Sequence, residues 1–477
     1  MLSVAAACAV GPDFVRPTAP ATDRYTREPT ALKTVDADGR VQRFTVGAAV
    51  ATAWWELFRS PPLNSVVQQA LLGNPSLEAS RASLEASQSN LRAGYGIFYP
   101  HIDASGEATR QRSEPALQGL RGPGSVYNLV TLGASVGYAL DVFGGKRRTV
   151  EGLRARVDAA RYARAAAYLT LSATVVNTAI ARAAYAAEIT ATRQVIELEQ
   201  QQLHATEAQA AAGTVPYSNV LSLRGLIAGN QAQLAPLRQR LSQAEHLLAT
   251  LEGVVPADVA LPDIDVTTLS LPSDLPVSVP SDLVRQRPDI LAAEAELHVA
   301  SAGIGVATAA MFPSITLGGS YAAAGTSFGE LSSPDARFWS VGPSATIPIF
   351  QGGSLWYGRK AAIQTYQQAQ SLYRQTVLDA FAQVADTLTA LQRDADAVEA
   401  ELEAKRSAAE ALAGMKANYE AGLVAYLDLL TADVQFHQAT IAWLQAVAQR
   451  HQDTVALYVA LGGGWWNASA LTDRVSP

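Results

Sequence analysis

Four segments of the chain alternate apolar and polar residues with a period of two, the pattern of a β-strand with one apolar face. In the clearest of them, every second residue from Val130 to Val142 is apolar or small, and polar or small residues such as Thr131 lie between. The four segments are residues 102–109, 130–142, 315–321 and 339–349. Each approaches the ~9–11 residues of a transmembrane β-strand. The pattern therefore predicts two transmembrane β-hairpins, residues 99–143 and 312–350.

Aromatic residues stand at the junctions between these segments and the neighbouring helical stretches. They are Phe98, Tyr99, Phe143, Phe312 and Phe350. A single aromatic residue at a strand end is more often explained by core packing. Its occurrence at all four junctions favours a membrane interface, where barrels carry aromatic girdles. The connecting loops, 113–127 and 325–337, are polar and contain Gly and Pro, as exposed loops do.

Long helical patterns follow each strand pair. They are rich in Ala, Arg, Gln and Glu, and the two longest contain no proline. The predicted helices are residues 146–212, 218–252, 354–421 and 426–461. At ~1.5 Å per residue, the longer member of each pair is a rod of about 100 Å. Gly213 and Gly422 end these rods. A structural coiled coil would explain the helices alone equally well.

No window of ~18 strongly apolar residues predicts a membrane-spanning helix. The nearest candidate, residues 165–181, is uncharged, but it contains Thr170 and Asn177 and basic residues flank it closely. We interpret this segment as the buried face of a long helix.

An internal repeat organises the chain into two similar halves, offset by roughly 210 residues. Four landmarks recur in the same order, and duplication followed by divergence explains them most simply. The landmarks are Asn74-Pro75 and Arg287-Pro288, the aromatic–proline pairs at 99–100 and 312–313, the Phe-Gly motifs at 143–145 and 350–353, and the turns at 212–217 and 421–426.

These patterns predict the domain organisation of the chain. The segments are the end of a signal peptide up to a lipidated cysteine (1–8), an extended N-terminal tail (9–62), the helices of repeat 1 (63–98), β-hairpin 1 (99–143), helical hairpin 1 (144–253), an equatorial linker (254–285), the helix of repeat 2 (286–311), β-hairpin 2 (312–350), helical hairpin 2 (351–462) and a C-terminal tail (463–477).

Four strands per chain predict an oligomer. An open sheet edge in lipid leaves backbone groups without hydrogen bonds, and the smallest membrane barrels have about eight strands. Two chains would give an eight-stranded barrel, and side chains fill the interior of a barrel of that size. Three chains would give twelve strands with room for a conduit.

Composition narrows the function. Charged residues make up 17% of the 477 residues, below the ~25% of typical soluble domains, so something other than charge covers part of the surface. A net charge of −7 argues against a nucleic-acid partner. The six histidines show no metal-binding spacing, and no phosphate-binding, dinucleotide or nucleophile-elbow motif is complete. The sequence predicts neither an enzyme nor a cofactor or metal site.

The single cysteine, Cys8, follows a short leader of small and apolar residues that ends in Ala5-Ala6-Ala7. This resembles a bacterial lipobox, although Leu more often stands where Ala5 does. We predict lipidation of Cys8; the alternative is an ordinary cysteine in a trimmed leader.

Several motifs, taken in order along both halves, carry a resemblance to a known family. They are the runs at 11–17 (Gly-Pro-Asp-Phe-Val-Arg-Pro), 54–58 (Trp-Trp-Glu-Leu-Phe), 63–77, 283–290 (Leu-Val-Arg-Gln-Arg-Pro-Asp-Ile), 312–315 (Phe-Pro-Ser-Ile), 348–353 (Pro-Ile-Phe-Gln-Gly-Gly) and 419–422 (Tyr-Glu-Ala-Gly). The set resembles the TolC-like outer-membrane efflux family, in the lipoprotein branch that serves tripartite pumps of the resistance-nodulation-division type.

The resemblance implies an α+β membrane protein that forms a homotrimer. Its four strands per chain would build one shared twelve-stranded barrel, and its helical hairpins would form a periplasmic tunnel. The implied partners are outer-membrane lipid, a periplasmic adaptor and an inner-membrane pump. The implied function is a passive outer-membrane conduit for exported drugs or other small molecules. The alternative is a non-channel, structural coiled-coil protein of the envelope.

The two interhelical turns would form the periplasmic tip of the tunnel. The residues that mark them are Gly213, Tyr217, Gly422 and Tyr426. In the family, inner helices close this end, and aspartates follow the second turn. Asp428 matches the first such aspartate, whereas Thr431 replaces the second.

We predict that Asp428 lines the channel constriction, where three carboxylates around one axis would attract cations. Leu427 and Leu430 would add an apolar layer that resists hydration. The alternative is an ordinary helix aspartate, because the helix dipole favours a carboxylate near an N-terminus.

Overall fold

The computed structural model describes residues 9–27, 31–113, 119 and 121–467. The predicted lipidation site, Cys8, lies outside these residues. The strands are β1 (Arg43–Val46), β2 (His101–Ser113), β3 (Ser125–Leu140), β4 (Asp274–Val277), β5 (Ser314–Gly325) and β6 (Arg337–Thr346). The helices are α1 (Pro61–Gly73), α2 (Pro75–Tyr95), α3 (Gly145–Ala211), α4 (Tyr217–Glu252), α5 (Pro280–Gln286), α6 (Pro288–Ala309), α7 (Ser354–Glu420) and α8 (Tyr426–Ala460).

The chain divides into two compact units, each with its own packing. Unit 1 comprises Met1–Pro17, Leu84–Ala160 and Ala293–Tyr373, and unit 2 comprises Thr18–Ser83, Arg161–Ala292 and Arg374–Pro477. The four-stranded sheet belongs to unit 1, and both interhelical turns belong to unit 2. The two long helices, α3 and α7, each have 67 residues, as duplication of one ancestral half predicts.

The sheet of unit 1 is antiparallel, with the strand order β2-β3-β5-β6. Its register aligns the alternating residues of all four strands, because Ile102 pairs with Val136, Val136 with Gly319, and Gly319 with Val341. Directly paired residues share one face of a sheet. The apolar positions of the four predicted strands therefore lie on one face and the polar positions on the other.

Large apolar side chains on this face are open to the surroundings. They include Ile102, Leu132, Val136, Leu140, Leu317, Tyr321, Trp339 and Val341. Water-exposed apolar patches of this extent are rare on soluble proteins, whereas lipid-facing barrel strands present such a band. The predicted fold class, with amphipathic strands and long helical hairpins, is confirmed.

The aromatic residues at the helix–strand junctions separate into two groups. Phe143 and Phe312, one from each half of the repeat, stack on each other with ring centroids 4.7 Å apart. Tyr99 and Phe350 are exposed. Local packing therefore explains the first pair, and an interfacial position suits the second.

Residues 9–17, here called the N-terminal clip, are held in unit 1 by a series of polar and aromatic contacts. The Val10 amide donates to the Phe143 carbonyl (3.0 Å), and Asp13 pairs with the buried Arg148 (2.6 Å). The Phe14 ring stacks on His298 at 4.2 Å. The first part of the predicted N-terminal tail is therefore extended, and it is held against the rest of unit 1 by these contacts.

The predicted tail (9–62) and linker (254–285) contain regular structure as well. In unit 2, β1 pairs in parallel with β4, and residues Trp54–Phe58 form a 3₁₀-helix. Trp54 is fully buried and stacks on Tyr458 at 5.5 Å. Strands of four residues give too short an alternation to recognise in a sequence, and Pro276 inside β4 weakens the strand signal further.

One helix among the described residues, α6, is long and apolar enough to cross a membrane by length and composition. The sequence analysis missed it because small residues such as Ala and Gly supply much of its apolar character. Ile290 and Leu297 are fully buried, so protein packing accounts for this character. Residues 165–181 lie within α3, where Val175, Val176 and Ile180 are likewise fully buried.

Two carboxyl groups meet between α7 and α8 in unit 2. Burial, followed by a hydrogen bond with Asp453, raises the pKa of Asp394 from 3.8 to about 8, and the nearby Arg450 partly opposes this. The Gln449 amide donates to Asp453 (2.9 Å). The pair therefore holds a proton at neutral pH that the unfolded chain releases.

This proton predicts a pH-dependent stability. Because the folded-state pKa of Asp394 is raised, its contribution to the free energy of unfolding is present below about pH 4 and is lost as pH rises through about 8. We expect Asp394→Asn to flatten the decline of the melting temperature over this range. The matched control is Asp386→Asn, an exposed position on the same helix. Equal pH profiles for wild type and Asp394→Asn would contradict the assignment.

Candidate functional site

The two interhelical turns in unit 2 share one backbone design. After α3, Gly213 takes φ 74°, and the Thr214 amide donates to the Gln209 carbonyl (3.0 Å). After α7, Gly422 takes φ 72°, and the Leu423 amide donates to the Asn418 carbonyl (2.9 Å). This is the Schellman arrangement, in which a glycine in the left-handed region closes a helix. Both turns thus reuse one solution, as the internal repeat predicts.

Each turn then enters its return helix through an extended residue. Pro216 has φ −66° and ψ 142°, and Ala425 has φ −76° and ψ 154°. Tyr217 and Tyr426 are the first residues of α4 and α8. Tyr217 is exposed, whereas Tyr426 packs on Tyr419 with ring centroids 5.2 Å apart.

The beginnings of α4 and α8 lie side by side and form an apolar groove of about 390 Å³. Its lining includes Leu223 and Leu226 of α4 with Leu427, Leu430 and Val434 of α8. Leu427 is half exposed, but Leu430 is only 5% exposed. Leu430 therefore stabilises the helix pair, which differs from its predicted place in an exposed apolar layer.

Asp428 is exposed and also caps α8. Its Oδ2 accepts a hydrogen bond from the Ala425 amide (3.0 Å), one of the donors that a helix start leaves without a partner. A carboxylate here also interacts favourably with the helix dipole. Asp428 therefore has the role of an ordinary aspartate at a helix start, which was the alternative in the sequence analysis. Its side chain also remains accessible to solvent.

Asp433 behaves differently from Asp428. Its side chain is mostly buried and lies 3.5 Å from His437 Nε2. Burial raises the pKa of Asp433 and lowers the pKa of His437, so desolvation outweighs their mutual attraction. Thr431 is exposed, and its hydroxyl donates to the Leu427 carbonyl of the same helix (2.9 Å). Asp428 is therefore the accessible acid in the first turns of α8. The i, i+4 spacing of Asp433 and His437 was a sequence signal for this pair that the sequence analysis did not use.

The part of the chain that the structure describes contains no group of three or more side chains positioned to hold a metal ion. The candidate site is therefore a surface of turns and capped helix ends. At the start of α8 it offers an accessible carboxylate, Asp428, beside a half-exposed leucine, Leu427.

Comparisons with known proteins match most of the chain. The family model described as "Outer membrane efflux protein" matches residues 66–254 and 279–463, one stretch in each half of the repeat. The toluene efflux pump outer membrane protein TtgC of Pseudomonas putida is 28% identical over 476 residues, 98% of this chain and 95% of that protein. The cation efflux system protein CusC of Escherichia coli is 27% identical over 463 residues, 96% of each chain. The solved structure of the outer-membrane channel OprN matches with a TM-score of 0.85 and 28% identity, over 96% of this chain and 100% of that one.

Two variants separate the hydrogen bond that Asp428 accepts as a helix cap from the effect of its negative charge. Asp428→Asn retains an oxygen that accepts from the Ala425 amide, whereas Asp428→Ala removes it. We expect the alanine variant to destabilise the first turn of α8 by about 0.5–1 kcal/mol and the asparagine variant by less. Hydrogen exchange of the backbone amides at 425–429 measures this. Equal exchange in both variants would remove the capping role.

Proposed function

The chain belongs to the outer membrane efflux protein family, and we propose that three copies of it close a single channel through the outer membrane. It is the outer-membrane component of an efflux system, like the relatives that it matches along nearly their whole length. The observation that carries the trimer proposal is the amphipathic, open-edged sheet of unit 1.

The two outer strands of that sheet require further partners. Within the described residues, β2 pairs only with β3, and β6 pairs only with β5. Each therefore has one edge of backbone N–H and C=O groups that hydrocarbon cannot satisfy. Pairing of β6 with β2 of the next subunit, repeated three times, satisfies every edge and gives twelve strands with room for a lumen.

The polar face of the sheet would then line this lumen. It carries Asp103, Ser105 and Glu107 on β2 and Ser320 and Ser340 on β5 and β6. The apolar face would contact lipid. A structural coiled-coil protein, the alternative, has no need of a sheet with an exposed apolar band.

The channel is a passive conduit without catalytic chemistry. Among its relatives, one is named for toluene efflux and another for cation efflux, at nearly equal identity to this chain. Because similar channels are named for such different cargo, we infer that another component of the efflux system selects the cargo. We therefore propose an inner-membrane pump and a periplasmic adaptor as partners, with drugs or other small molecules as cargo.

The N-terminal clip supports a lipid anchor at Cys8. The clip begins at Ala9, next to Gly144 at the junction of β3 and α3. The clip therefore holds the residues that follow Cys8 at this junction. Such an anchor would add to the hold of the barrel on the membrane.

At the tips, Asp428 and Leu427 of the three chains would surround the narrowest point. The exposure of Asp428 supports this position, and the burial of Leu430 leaves Leu427 as the apolar contribution. Three carboxylates in one ring would favour cations over anions. Opening would require the adaptor to spread the tips.

Oligomeric state tests the closure argument directly. We expect the protein in detergent to have three times the chain mass of 50.3 kDa by native mass spectrometry. We also expect its trimer band on a gel to shift on heating, as barrels do when they unfold. A functional species with one or two chains would overturn the shared barrel.

Single-channel conductance in planar bilayers tests the tip. We expect Asp428→Asn and Asp428→Ala to lower the cation-to-anion permeability ratio several-fold, because each removes three charges from the ring. Block by divalent cations should weaken in parallel. The control is Glu410→Gln, an exposed acid on α7. If the asparagine variant assembles and keeps wild-type selectivity, Asp428 does not line the constriction.

A further inference from the structure

Three arginines lie on the apolar face of the sheet, near its loop end. On β2, Arg110 pairs with Asn128 and Arg112 with Val126, which places both on the same face as Ile102. On β6, Arg337 pairs with Ala323, on the face of Trp339 and Val341. All three side chains are exposed. The lipid-facing side of the sheet therefore changes from apolar to basic toward its loops.

The change occurs where the hydrocarbon should end. Along β3, the apolar face extends from Leu140 to Val130, and Asn128, the partner of Arg110, follows. About ten steps of ~3.4 Å, inclined at ~40° to the barrel axis, span roughly 26 Å, close to the ~25 Å band of membrane barrels. Arg110 is thus the first residue of β2 beyond the band.

On β6, Arg337 is likewise the first residue beyond the apolar run of its own strand, although its partner Ala323 pairs in turn with Leu132 of β3. Every second residue from Ile349 back to Trp339 is apolar or small, and Arg337 is the next residue on that face. Trp339 and Tyr321, direct cross-strand neighbours, are both exposed below it. Aromatic side chains prefer the headgroup level of a membrane, and this preference suits a pair of rings that directly precedes Arg337 on the same face.

Within the described residues, the three guanidinium groups have no acidic partner. Among the described residues, no carboxylate lies within ion-pair distance of Arg110, Arg112 or Arg337. The acids of β2, Asp103 and Glu107, lie on the opposite face. The basic charge of the outer surface is therefore available to an external anion.

We propose that Arg110, Arg112 and Arg337 bind the phosphate groups of lipid headgroups in the outer leaflet of the membrane. This rests on the proposed function, because closure of the trimer brings β6 of one subunit beside β2 of the next. Each junction then carries three arginines from two chains. The planar guanidinium matches a phosphate bidentately, and its long stem can lie along the apolar surface below.

The test compares two lipids on the same purified trimer. A phosphorylated glycolipid and its dephosphorylated counterpart are each incubated with the full-length protein, and native mass spectrometry counts the lipids retained per trimer. We expect wild type to retain the phosphorylated lipid at least about tenfold better, the effect of one charge-assisted hydrogen bond per site. Equal retention of the two lipids would overturn the proposal without the use of any variant.

Variants locate the site. We expect R110Q/R112Q/R337Q to lower retention of the phosphorylated lipid to the level of the dephosphorylated one. The control R193Q/R238Q/R374Q removes three exposed arginines from the long helices and should retain the lipid as wild type does. Equal loss in both triple variants would overturn the assignment. Trimer mass and conductance, measured on the same samples, report separately on the proposed function.

Discussion

Backbone hydrogen bonding in hydrocarbon is the constraint on which the rest of this structure depends. A strand edge in lipid has no water to bind, so the outer edges of β2 and β6 make a single chain incomplete as a membrane protein. The same constraint imposes the apolar face on all four strands. In the proposed trimer, it also makes the junction between subunits part of the barrel wall, where residues of two chains would come together.

Much of this fold could be predicted because each long element repeats its pattern at every residue. The alternation on either side of Val136 and Leu317 identifies the strands and also determines their register, since a shift of one residue would turn every apolar side chain of a strand to the polar face of the sheet. The rods were predicted to within a residue or two at each end, because glycines at 213 and 422 mark their ends. The two interhelical turns were predicted for the same reason, from landmarks that recur in both halves of the chain.

What the sequence could not predict depends on contacts between distant residues. Asp13 reaches Arg148, and Gln42 accepts from the buried Arg450 (3.1 Å), although hundreds of residues separate the latter pair. Neither pairing leaves a periodic signal. The burial of Leu430 was missed for a related reason: its spacing relative to Leu427 suits either a pore or a helix groove, and only the position of α4 decides between them.

The shared design of the two turns has a consequence for how such proteins diverge. Backbone hydrogen bonds and a glycine in the left-handed region hold each turn, and in the first turn the Thr214 hydroxyl also donates to the Gln209 carbonyl (2.8 Å). In the second turn the corresponding side chains, Leu423 and Val424, are apolar and form no hydrogen bond. Substitution there can alter the outermost chemistry of the tips and leave their shape intact. Evolution can therefore change the surface chemistry of one turn on an unchanged backbone, and the corresponding turns of the two halves can diverge independently of each other.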